Sequence, residues 1–332
     1  MLRAARGFVD CLKQNHPLEN VAKVPQVVSE DKFEGCLLGL ALGDALGAPF
    51  EGGLLERLLW KLIGTTRTGE MRWTDDTQMS IDVAESLIAH NSANANDLAH
   101  RFAVSYRWSR GYGPGAARLL KKIASGQDWQ RANKSVYPAG SYGNGGAMRA
   151  PVLSLFDARR PAELASAVEL TTSITHAHPL GIEGALLIAT ATSLSLRDAE
   201  PIEVLSVLAR TSRHAPFAER IEAAAKWLSE GTLPRPQTVA AELGNGTEAT
   251  KSCLTAVFLA LSFAQRPFEE MLDFISRCGG DVDTIGAMAG ALWGARRGRQ
   301  ELPAHQIARL EQGSRISDLA KALHAGHLKA DV

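Results

Sequence analysis

Apolar residues recur every three or four positions along most of the chain, and no stretch keeps the two-residue alternation of a β-strand. One clear case is the stripe formed by Met79, Val83, Leu87 and Ile88, which predicts a helix that ends at about His90. The same periodicity predicts further helices, two within 95–125 and others ending near 155 or covering about 181–195, 201–212, 216–230, 247–264, 267–277 and 303–325. We therefore predict an all-α fold with one domain over residues 30–332.

Glycine spacing adds a prediction about packing. Gly35, Gly39, Gly43 and Gly47 recur every fourth residue in an apolar segment, and glycines repeat the same spacing over 286–294. Each glycine weakens a helix by about 1 kcal/mol relative to alanine, so such a ridge needs compensation from a close helix neighbour. A membrane helix dimer uses the same spacing, but the acidic residues in this segment argue against it. We expect the two glycine-bearing helices to share one tightly packed core.

Residues 1–29 form a predicted N-terminal extension with a different pattern. Leu2, Ala5, Val9 and Leu12 would share one face of a short amphipathic helix, and two prolines interrupt the pattern before residue 29. The extension would be an arm that packs on the body, a partly ordered segment, or an arm that reaches a partner. The sequence leaves these alternatives open.

Composition narrows the class of protein. Lysine plus arginine equals aspartate plus glutamate at 36 each, so we expect neither nucleic acid nor membrane to be bound by bulk charge. The four cysteines, Cys11, Cys36, Cys253 and Cys278, show no CxxC pair and no zinc spacing, which predicts buried free thiols in a reducing compartment. We expect no apolar run to be long enough to span a membrane. We predict a cytoplasmic location.

Two clusters of acids stand at predicted helix starts. The first is Asp281, Asp283 and Thr284, after a pair of glycines, and the second is Thr74-Asp75-Asp76. A helix cap needs one acid, and Asp75 with Gln78 would satisfy a capping box. Two adjacent carboxylates repel each other unless a cation joins them. Oxygen ligands of this kind suit Mg²⁺, Mn²⁺ or Ca²⁺.

The glycine ridges would bring the acid clusters together. If the two glycine-bearing helices pack against each other, Asp44 and Glu51 come near Asp281 and Asp283. The sequence therefore predicts a site for one or two metal ions. The alternative, in which each cluster is only a helix cap with a solvated acid, stays open at this point.

A glycine-rich segment supplies the third polar feature. Residues 139–149 contain four glycines around Ser141, Tyr142 and Asn144, ahead of a predicted helix. Glycines let backbone amides approach anionic oxygens, and a helix N-terminus adds positive potential, so the loop suits a diphosphate. No lysine stands at the spacing of a P-loop. Further on, His176 is a better candidate for a ligand contact than His178, which precedes a proline.

Five segments, in this order, resemble the ADP-ribosylglycohydrolase family, which includes the dinitrogenase-reductase-activating glycohydrolase and related ADP-ribosylhydrolases. They are GCLLGLALGDALGAPFE, WTDDTQMS, GSYGNGGAMRAP, THAHPLGIEGA and GGDVDTIGAMAGALWGA. The resemblance covers about residues 33–297. It implies a compact orthogonal all-α bundle with two divalent metals, Mg²⁺ or Mn²⁺, on the floor of a cleft.

The resemblance also assigns roles by motif position. The implied metal ligands are Thr74, Asp75, Asp76, Asp281, Asp283 and Thr284. The implied catalytic carboxylates are Glu51, Asp75, Asp76 and Asp283, with Glu51 as a ligand, gate or general base. The implied substrate contacts are Ser141, Gly143, Asn144, Gly145 and Gly146 at the diphosphate, Tyr142 on adenine and His176 on ribose or phosphate. All of these positions match the family pattern, which implies an active enzyme.

The implied reaction is hydrolysis of the bond between ADP-ribose and a protein side chain, so the partners are an ADP-ribosylated protein and the product ADP-ribose. Arginine-linked ADP-ribose is our first expectation for the substrate. Serine-linked ADP-ribose, poly-ADP-ribose and O-acetyl-ADP-ribose are the alternatives. Two other classes are a binding protein without catalysis, which the intact acids disfavour, and an immunity protein whose residues 1–30 block an ADP-ribosylating toxin.

Overall fold

The computed structural model describes residues 28–157 and 161–329, which form one bundle of helices. The helices are α1 (Glu30–Gly47), α2 (Leu54–Ile63), α3 (Asp75–His90), α4 (Ala95–Ser105), α5 (Pro114–Ala124), α6 (Trp129–Val136), α7 (Ala150–Asp157), α8 (Pro161–Ser173), α9 (Pro179–Leu196), α10 (Pro201–Thr211), α11 (Ala215–Ser229), α12 (Pro236–Glu242), α13 (Cys253–Ser262), α14 (Phe268–Cys278), α15 (Val282–Arg297), α16 (Ala304–Ile307) and α17 (Gly313–Lys329). Only isolated β-bridges occur in these two ranges, so the all-α prediction is confirmed.

The core is built on the antiparallel pair α1 and α15. Gly35 faces Gly294, Gly39 faces Gly290, and Gly43 faces Gly286, each so closely that a Cβ atom at any of them would overlap the opposite backbone. The predicted contact between the two glycine ridges is therefore confirmed. Both helices are buried on nearly every side, which explains why neither has a marked polar face.

Other helices enclose this pair. Helix α15 also packs against α13 and α9, while α1 packs against α17. Helix α9 in turn contacts α7, α8 and α10. The N-terminus of α15 lies at the end of the bundle where α1 terminates, because Gly47 packs against Asp283. This arrangement brings the acid cluster of α15 to the segment that contains Asp44 and Glu51.

Two predicted helices are interrupted. The predicted helix over 303–325 is divided into α16 and α17, because Gln312 adopts a positive φ of 55° between them. The predicted helix over 247–264 begins as a short 3₁₀ turn at Ala249–Lys251 before α13. Four helices, α2, α6, α8 and α12, lie outside the predicted ranges. The two helices predicted within 95–125 are confirmed as α4 and α5, separated by Gly111 at φ 89°.

The expectation that no apolar run could span a membrane needs correction. The segments Glu30–Phe50 and Pro179–Leu196 are long and apolar enough to do so. However, 83% and 72% of their most apolar 18-residue stretches are buried in the bundle. Core helices pass the same test, so this is weak evidence for a membrane.

The thiol prediction holds for the three cysteines in the described ranges. Cys36, Cys253 and Cys278 are free and buried, and burial raises the pKa of each thiol. Cys11 and the predicted helix within residues 1–29 lie outside the described residues.

Candidate active site

The first half of the site is the N-terminus of α3. Its N-cap is Thr74, whose hydroxyl accepts a hydrogen bond of 3.3 Å from the backbone amide of Asp76. The alternative in which Asp75 and Gln78 form a capping box is therefore excluded, because Asp75 is already the first helical residue. With the cap supplied by a threonine, neither acid is used for capping. Both carboxylates remain for another role, at the helix end where the dipole favours negative charge.

Asp44 of α1 holds this helix start in place. Its carboxylate accepts hydrogen bonds from the amide of Thr74 at 2.9 and 3.0 Å and from the amide and hydroxyl of Thr77 at 3.0 and 2.5 Å. Burial raises the pKa of Asp44 to about 6, while these hydrogen bonds act in the opposite direction. The sequence placed Asp44 near the site but gave it no role. The available signal was a single acid within a glycine-spaced apolar helix.

The second half of the site is the N-terminus of α15. Two groups of carboxylates form where it meets α1 and α3: Asp44 with Asp76 and Asp283, and Glu51 with Asp281 and Asp283. Within each group the nearest oxygen atoms lie within 4.8 Å of one another, and Asp283 belongs to both. The predicted meeting of the two acid clusters is therefore observed.

Both threonines support Asp76. The hydroxyl of Thr284 donates to the Asp76 carboxylate at 3.2 Å, and that of Thr74 donates to it at 3.3 Å. Asp75 lies outside the two three-acid groups and faces the turn at Gly111, where a Cβ atom would lie 3.5 Å from its Oδ1. All six predicted metal ligands thus lie at one place, although with different neighbours.

The site concentrates uncompensated negative charge. Burial first, and then repulsion by neighbouring carboxylates, raise the pKa of Asp75, Asp76 and Asp283 well above the usual range. Among the described residues, none of Asp44, Asp75, Asp76, Asp281 and Asp283 forms an ion pair with lysine, arginine or histidine. Buried carboxylates without a cation are costly. The all-oxygen donor set therefore fits a hard divalent cation such as Mg²⁺ or Mn²⁺.

The glycine-rich loop borders the acids on one side. The side-chain amide of Asn144 donates to Asp281 at 2.5 Å and to the hydroxyl of Ser252 at 3.0 Å, and the amide of Asp281 donates to the Asn245 carbonyl at 2.8 Å. Asn144 was predicted as a diphosphate contact, and here its side chain holds an acid. Ser252 and Asn245 were missed, since they belong to none of the five motifs.

His176 lies over the same loop. A Cβ atom at Gly145 would overlap the ring, so this glycine is needed for the approach, and a Cβ at Gly143 would lie a tight 3.2 Å from His176 Nε2. A Cβ at Gly146 would instead overlap the side chain of Thr172. The predicted loop and histidine are therefore adjacent.

Burial and the nearby Arg149 together keep that histidine neutral. The buried Arg149 donates to Thr175 Oγ1 at 2.8 Å, and Thr175 Oγ1 lies 2.8 Å from His176 Nδ1. Thr175 accepts from the arginine and also bonds Nδ1, where the direction of the hydrogen bond depends on the tautomer of the histidine. Burial and the charge of Arg149 lower the pKa of His176 to about 3. His176 is therefore a neutral imidazole whose Nε2 faces the loop.

Arg149 also supports the loop itself, a role that the sequence did not suggest. It donates to the carbonyls of Gly145 and Thr171, and its guanidinium lies 4.9 Å from the centre of the Phe102 ring. The available signal was a lone arginine between apolar residues in the segment after the glycines.

Tyr142 and Ser141 lie at the outer end of the loop. The ring of Tyr142 is exposed and packs edge-on against His178 at 5.6 Å between ring centres. The hydroxyl of Ser141 accepts from the amide of Gly143 at 3.3 Å. His178 thus supports the Tyr142 ring, and its Nδ1 also accepts from the amide of Leu180 at 3.1 Å.

Comparison with known proteins identifies the family. A family model described as ADP-ribosylglycohydrolase matches residues 25–331, a somewhat longer range than the predicted 33–297. The ADP-ribosylhydrolase ARH3 of Danio rerio is 33% identical over 343 residues, covering 91% of this chain and 92% of that protein. ARH3 of Homo sapiens is 30% identical, covering 89% and 93%.

A solved structure agrees with this match. It is described as an ADP-ribosylglycohydrolase-related protein complex and aligns with a TM-score of 0.67 and 28% identity, over 90% of this chain and 98% of that one. The family match, the relatives and the shared fold all cover nearly the whole of the described bundle. The chain therefore belongs to the ADP-ribosylglycohydrolase family.

Proposed function

We propose that this protein is a divalent-metal-dependent enzyme that releases ADP-ribose from modified protein side chains. The coarser statement follows from the family and its ARH3 relatives: the chain is a hydrolase that acts on ADP-ribose linkages. The observation that carries the proposal is the hydrogen bond between Asn144 and Asp281. It joins a loop suited to a diphosphate directly to a cluster suited to a cation, as an ADP-ribose site requires.

The site has two sides with different roles, the glycine-rich loop and the acid clusters. On the loop side, glycine backbone amides are donors for the diphosphate oxygens, and the Nε2 of His176 would donate to a phosphate or ribose oxygen in the tautomer that carries its proton there. On the acid side, Asp76, Asp281 and Asp283 would hold the divalent ion, together with Thr74, Thr284 and Asp75. The ion, when bound, supplies positive charge that orients and polarises oxygen atoms. Its number and identity belong to this proposal, with two Mg²⁺ or Mn²⁺ ions as the expectation.

Glu51 is suited to move a proton. It is half-exposed, whereas its neighbours Asp281 and Asp283 are buried, so it is the carboxylate of its group that solvent reaches. A water that attacks the anomeric carbon could lose its proton to Glu51. The remaining carboxylates would stabilise the positive charge that builds on the ribose ring during bond cleavage.

The linkage is the finer part of the proposal. We expected arginine-linked ADP-ribose, but the similarity to ARH3 proteins fits the serine-linked or poly-ADP-ribose alternative better. We therefore propose an O-glycosidic linkage as the preferred substrate, with the arginine N-glycoside second. The immunity role of residues 1–30 gains no support from the described residues or the relatives.

A panel of substrates tests the proposal. Serine-ADP-ribosylated peptide, arginine-ADP-ribosylated peptide and poly-ADP-ribose are incubated with Mg²⁺, Mn²⁺ or a chelator, and released ADP-ribose is quantified. We expect release from an O-linked substrate, lost on chelation and restored by metal. Release from the arginine substrate alone would overturn the linkage proposal, and full activity in chelator would overturn the metal proposal.

A further inference from the structure

A cavity borders the acid clusters between the segment that follows α1, helix α2 and the turn at Trp108. It has a volume of about 310 Å³, and its lining includes Glu51 and Thr74 of the site. The other walls are largely apolar, formed by Leu59, Trp60, Ile63 and Trp108. The cavity is therefore continuous with the candidate active site, but its walls have the opposite character to the glycine loop.

Exposed apolar side chains are frequent in the chain segments that supply the walls of this cavity. Ten large hydrophobic side chains are exposed in the described part of the chain, and five of them belong to these segments, of which Leu59 and Trp108 line the cavity itself. Those five are Phe50, Leu58, Leu59, Leu62 and Trp108, with Leu62 81% and Trp108 77% exposed. Apolar side chains gathered beside a polar site mark a binding surface more often than scattered ones do. We name these five residues the apolar rim.

The two walls of the cavity are tied to each other. Arg72 donates to the carbonyl of Ile63 at 3.0 Å and lies 3.5 Å from the hydroxyl of Ser109, next to Trp108. Arg110, two residues beyond Trp108, donates to the carbonyl of Trp73 at 2.7 Å. These hydrogen bonds connect the end of α2, the start of the site and the Trp108 turn, which together carry the walls of the cavity.

The substrate itself has two unlike ends. On one side of the bond that is cut lie the ribose, diphosphate and adenine, whose charge suits the glycine loop. On the other side lies the modified protein segment, whose side chains can be apolar. A diphosphate gains nothing from leucine and tryptophan walls, whereas an aliphatic or aromatic side chain gains by leaving water there.

We propose that the cavity and its apolar rim bind the segment of the substrate protein that flanks the modified residue, and that they select segments with an aliphatic or aromatic side chain next to that residue. This inference rests on the proposed function, because it assigns a second part of the same substrate. Trp108 and Leu59 are the specificity-determining residues, since both line the cavity and both are exposed.

The test uses two ADP-ribosylated peptides with the linkage that the enzyme cleaves, identical except for leucine or glycine beside the modified residue. Wild type, Trp108→Ala, Leu59→Ala and the control Ile202→Ala are compared. Ile202 is an exposed side chain on α10, away from the rim. For each protein, kcat/KM for ADP-ribose release and the Kd of free ADP-ribose are measured.

We expect the wild type and the control to prefer the leucine peptide by about tenfold in kcat/KM, and the ratio to fall toward one in both rim variants. The Kd of free ADP-ribose should stay unchanged in all four proteins, because the rim does not touch that part of the substrate. Equal losses on both peptides, or an unchanged ratio in the rim variants, would overturn the inference.

A separate readout distinguishes failure of the proposed function. If the wild type releases ADP-ribose from no substrate, the Kd values of the two modified peptides are measured by fluorescence anisotropy, and the same leucine-to-glycine ratio decides the role of the rim. Light scattering tests the alternative occupant of the rim, a second copy of the chain, because it shows whether the protein forms a dimer. A dimer that the rim variants abolish would overturn the peptide assignment.

Discussion

At the scale of single residues, the site depends on which polar groups form hydrogen bonds with one another. Thr74 caps α3, so Asp75 and Asp76 are free of that role, and Asn144 holds Asp281. Neighbouring carboxylates raise one another's pKa, so the metal-free site is a source of instability that a divalent ion would remove. Burial likewise raises the pKa of Asp82, a further acid of α3, whose hydrogen-bond donor is Ser105.

Replacing Asp283 should separate metal binding from folding. We expect Asp283→Asn to lower ADP-ribose release about 100-fold or more, because one carboxylate serves both acid groups. The melting temperature without metal should stay equal or rise, since one buried like charge is removed, and the rise in melting temperature on adding Mg²⁺ should disappear.

The matched control for this change is Asp273→Asn. Asp273 is an exposed aspartate of α14 that pairs with Arg277, so this variant should keep both activity and the response to Mg²⁺. Wild-type turnover by Asp283→Asn would contradict the metal assignment.

Asp82 should make folding stability depend on pH. Burial raises its pKa to about 6, although Ser105 donates to it at 2.5 Å. Because the folded pKa lies above the unfolded value, the folded state binds more protons, so stability is lost as pH rises from about 4 to about 6. The loss is at most about 3 kcal/mol.

Asp82→Asn removes this titration. In urea unfolding, the unfolding free energy of this variant minus that of wild type should be larger at pH 7.5 than at pH 4.5. A difference between the two proteins that is the same at both pH values would show that Asp82 has no raised pKa.

At the scale of elements, the glycine contact of α1 with α15 sets the distance between the acids. Asp44 directly follows Gly43, and Asp283 lies one helical turn before Gly286. Because Gly43 and Gly286 contact each other across the two helices, each acid is positioned by a glycine at the helix contact. In an isolated helix these glycines would only cost stability. In this core they allow the two backbones to approach, and the acids approach with them.

Gly43→Ala should therefore damage both stability and the site. The added Cβ would overlap the backbone of Gly286, which cannot rotate away, so we expect a loss of about 2–3 kcal/mol in unfolding free energy. A weaker response of the melting temperature to Mg²⁺ should accompany it.

The same substitution at Gly326 is the control. Gly326 lies within α17 with nothing within 4 Å of its added Cβ, so Gly326→Ala should gain up to about 1 kcal/mol from helix propensity. Equal effects of the two substitutions in urea unfolding would contradict a close α1–α15 contact.

At the scale of the whole molecule, one buried ion pair ties the C-terminal region to the start of the site. Arg110 donates to both carboxylate oxygens of Glu311, at 2.7 and 2.8 Å, and lies 3.6 Å from the centre of the Trp73 ring. Trp73 Nε1 donates to the Glu311 carbonyl at 2.9 Å. These contacts cross sequence separations of 201 and 238 residues and fix the residue that precedes Thr74.

Removing one partner of this pair should be costly. Glu311→Ala leaves the buried guanidinium of Arg110 without its carboxylate, so we expect a loss of about 3 kcal/mol in unfolding free energy. The double variant Arg110→Met/Glu311→Leu replaces both charges and should lose less than the single variant. A double variant that is less stable than Glu311→Ala in urea unfolding would contradict a desolvation cost.

The sequence by itself determined the features that depend on near neighbours along the chain. The all-α class follows from apolar periodicity, because each helix must bury one face. The glycine ridges and the two acid clusters are likewise visible as spacings. Even the meeting of α1 and α15 could be predicted, since two matching ridges without side chains have few other uses.

Only the tertiary structure decided which distant groups meet. The sequence could not show that Thr74 would be the cap, that Asp44 would hold the start of α3, or that Asn144 would turn toward Asp281. It predicted one helix over 303–325, whereas contacts of residues 310 and 311 with Met71 and Trp73 accompany a break at Gln312. The physical reason is the same in each case: a buried polar group takes whichever partner the packed helices bring within reach, and local sequence does not encode that distance.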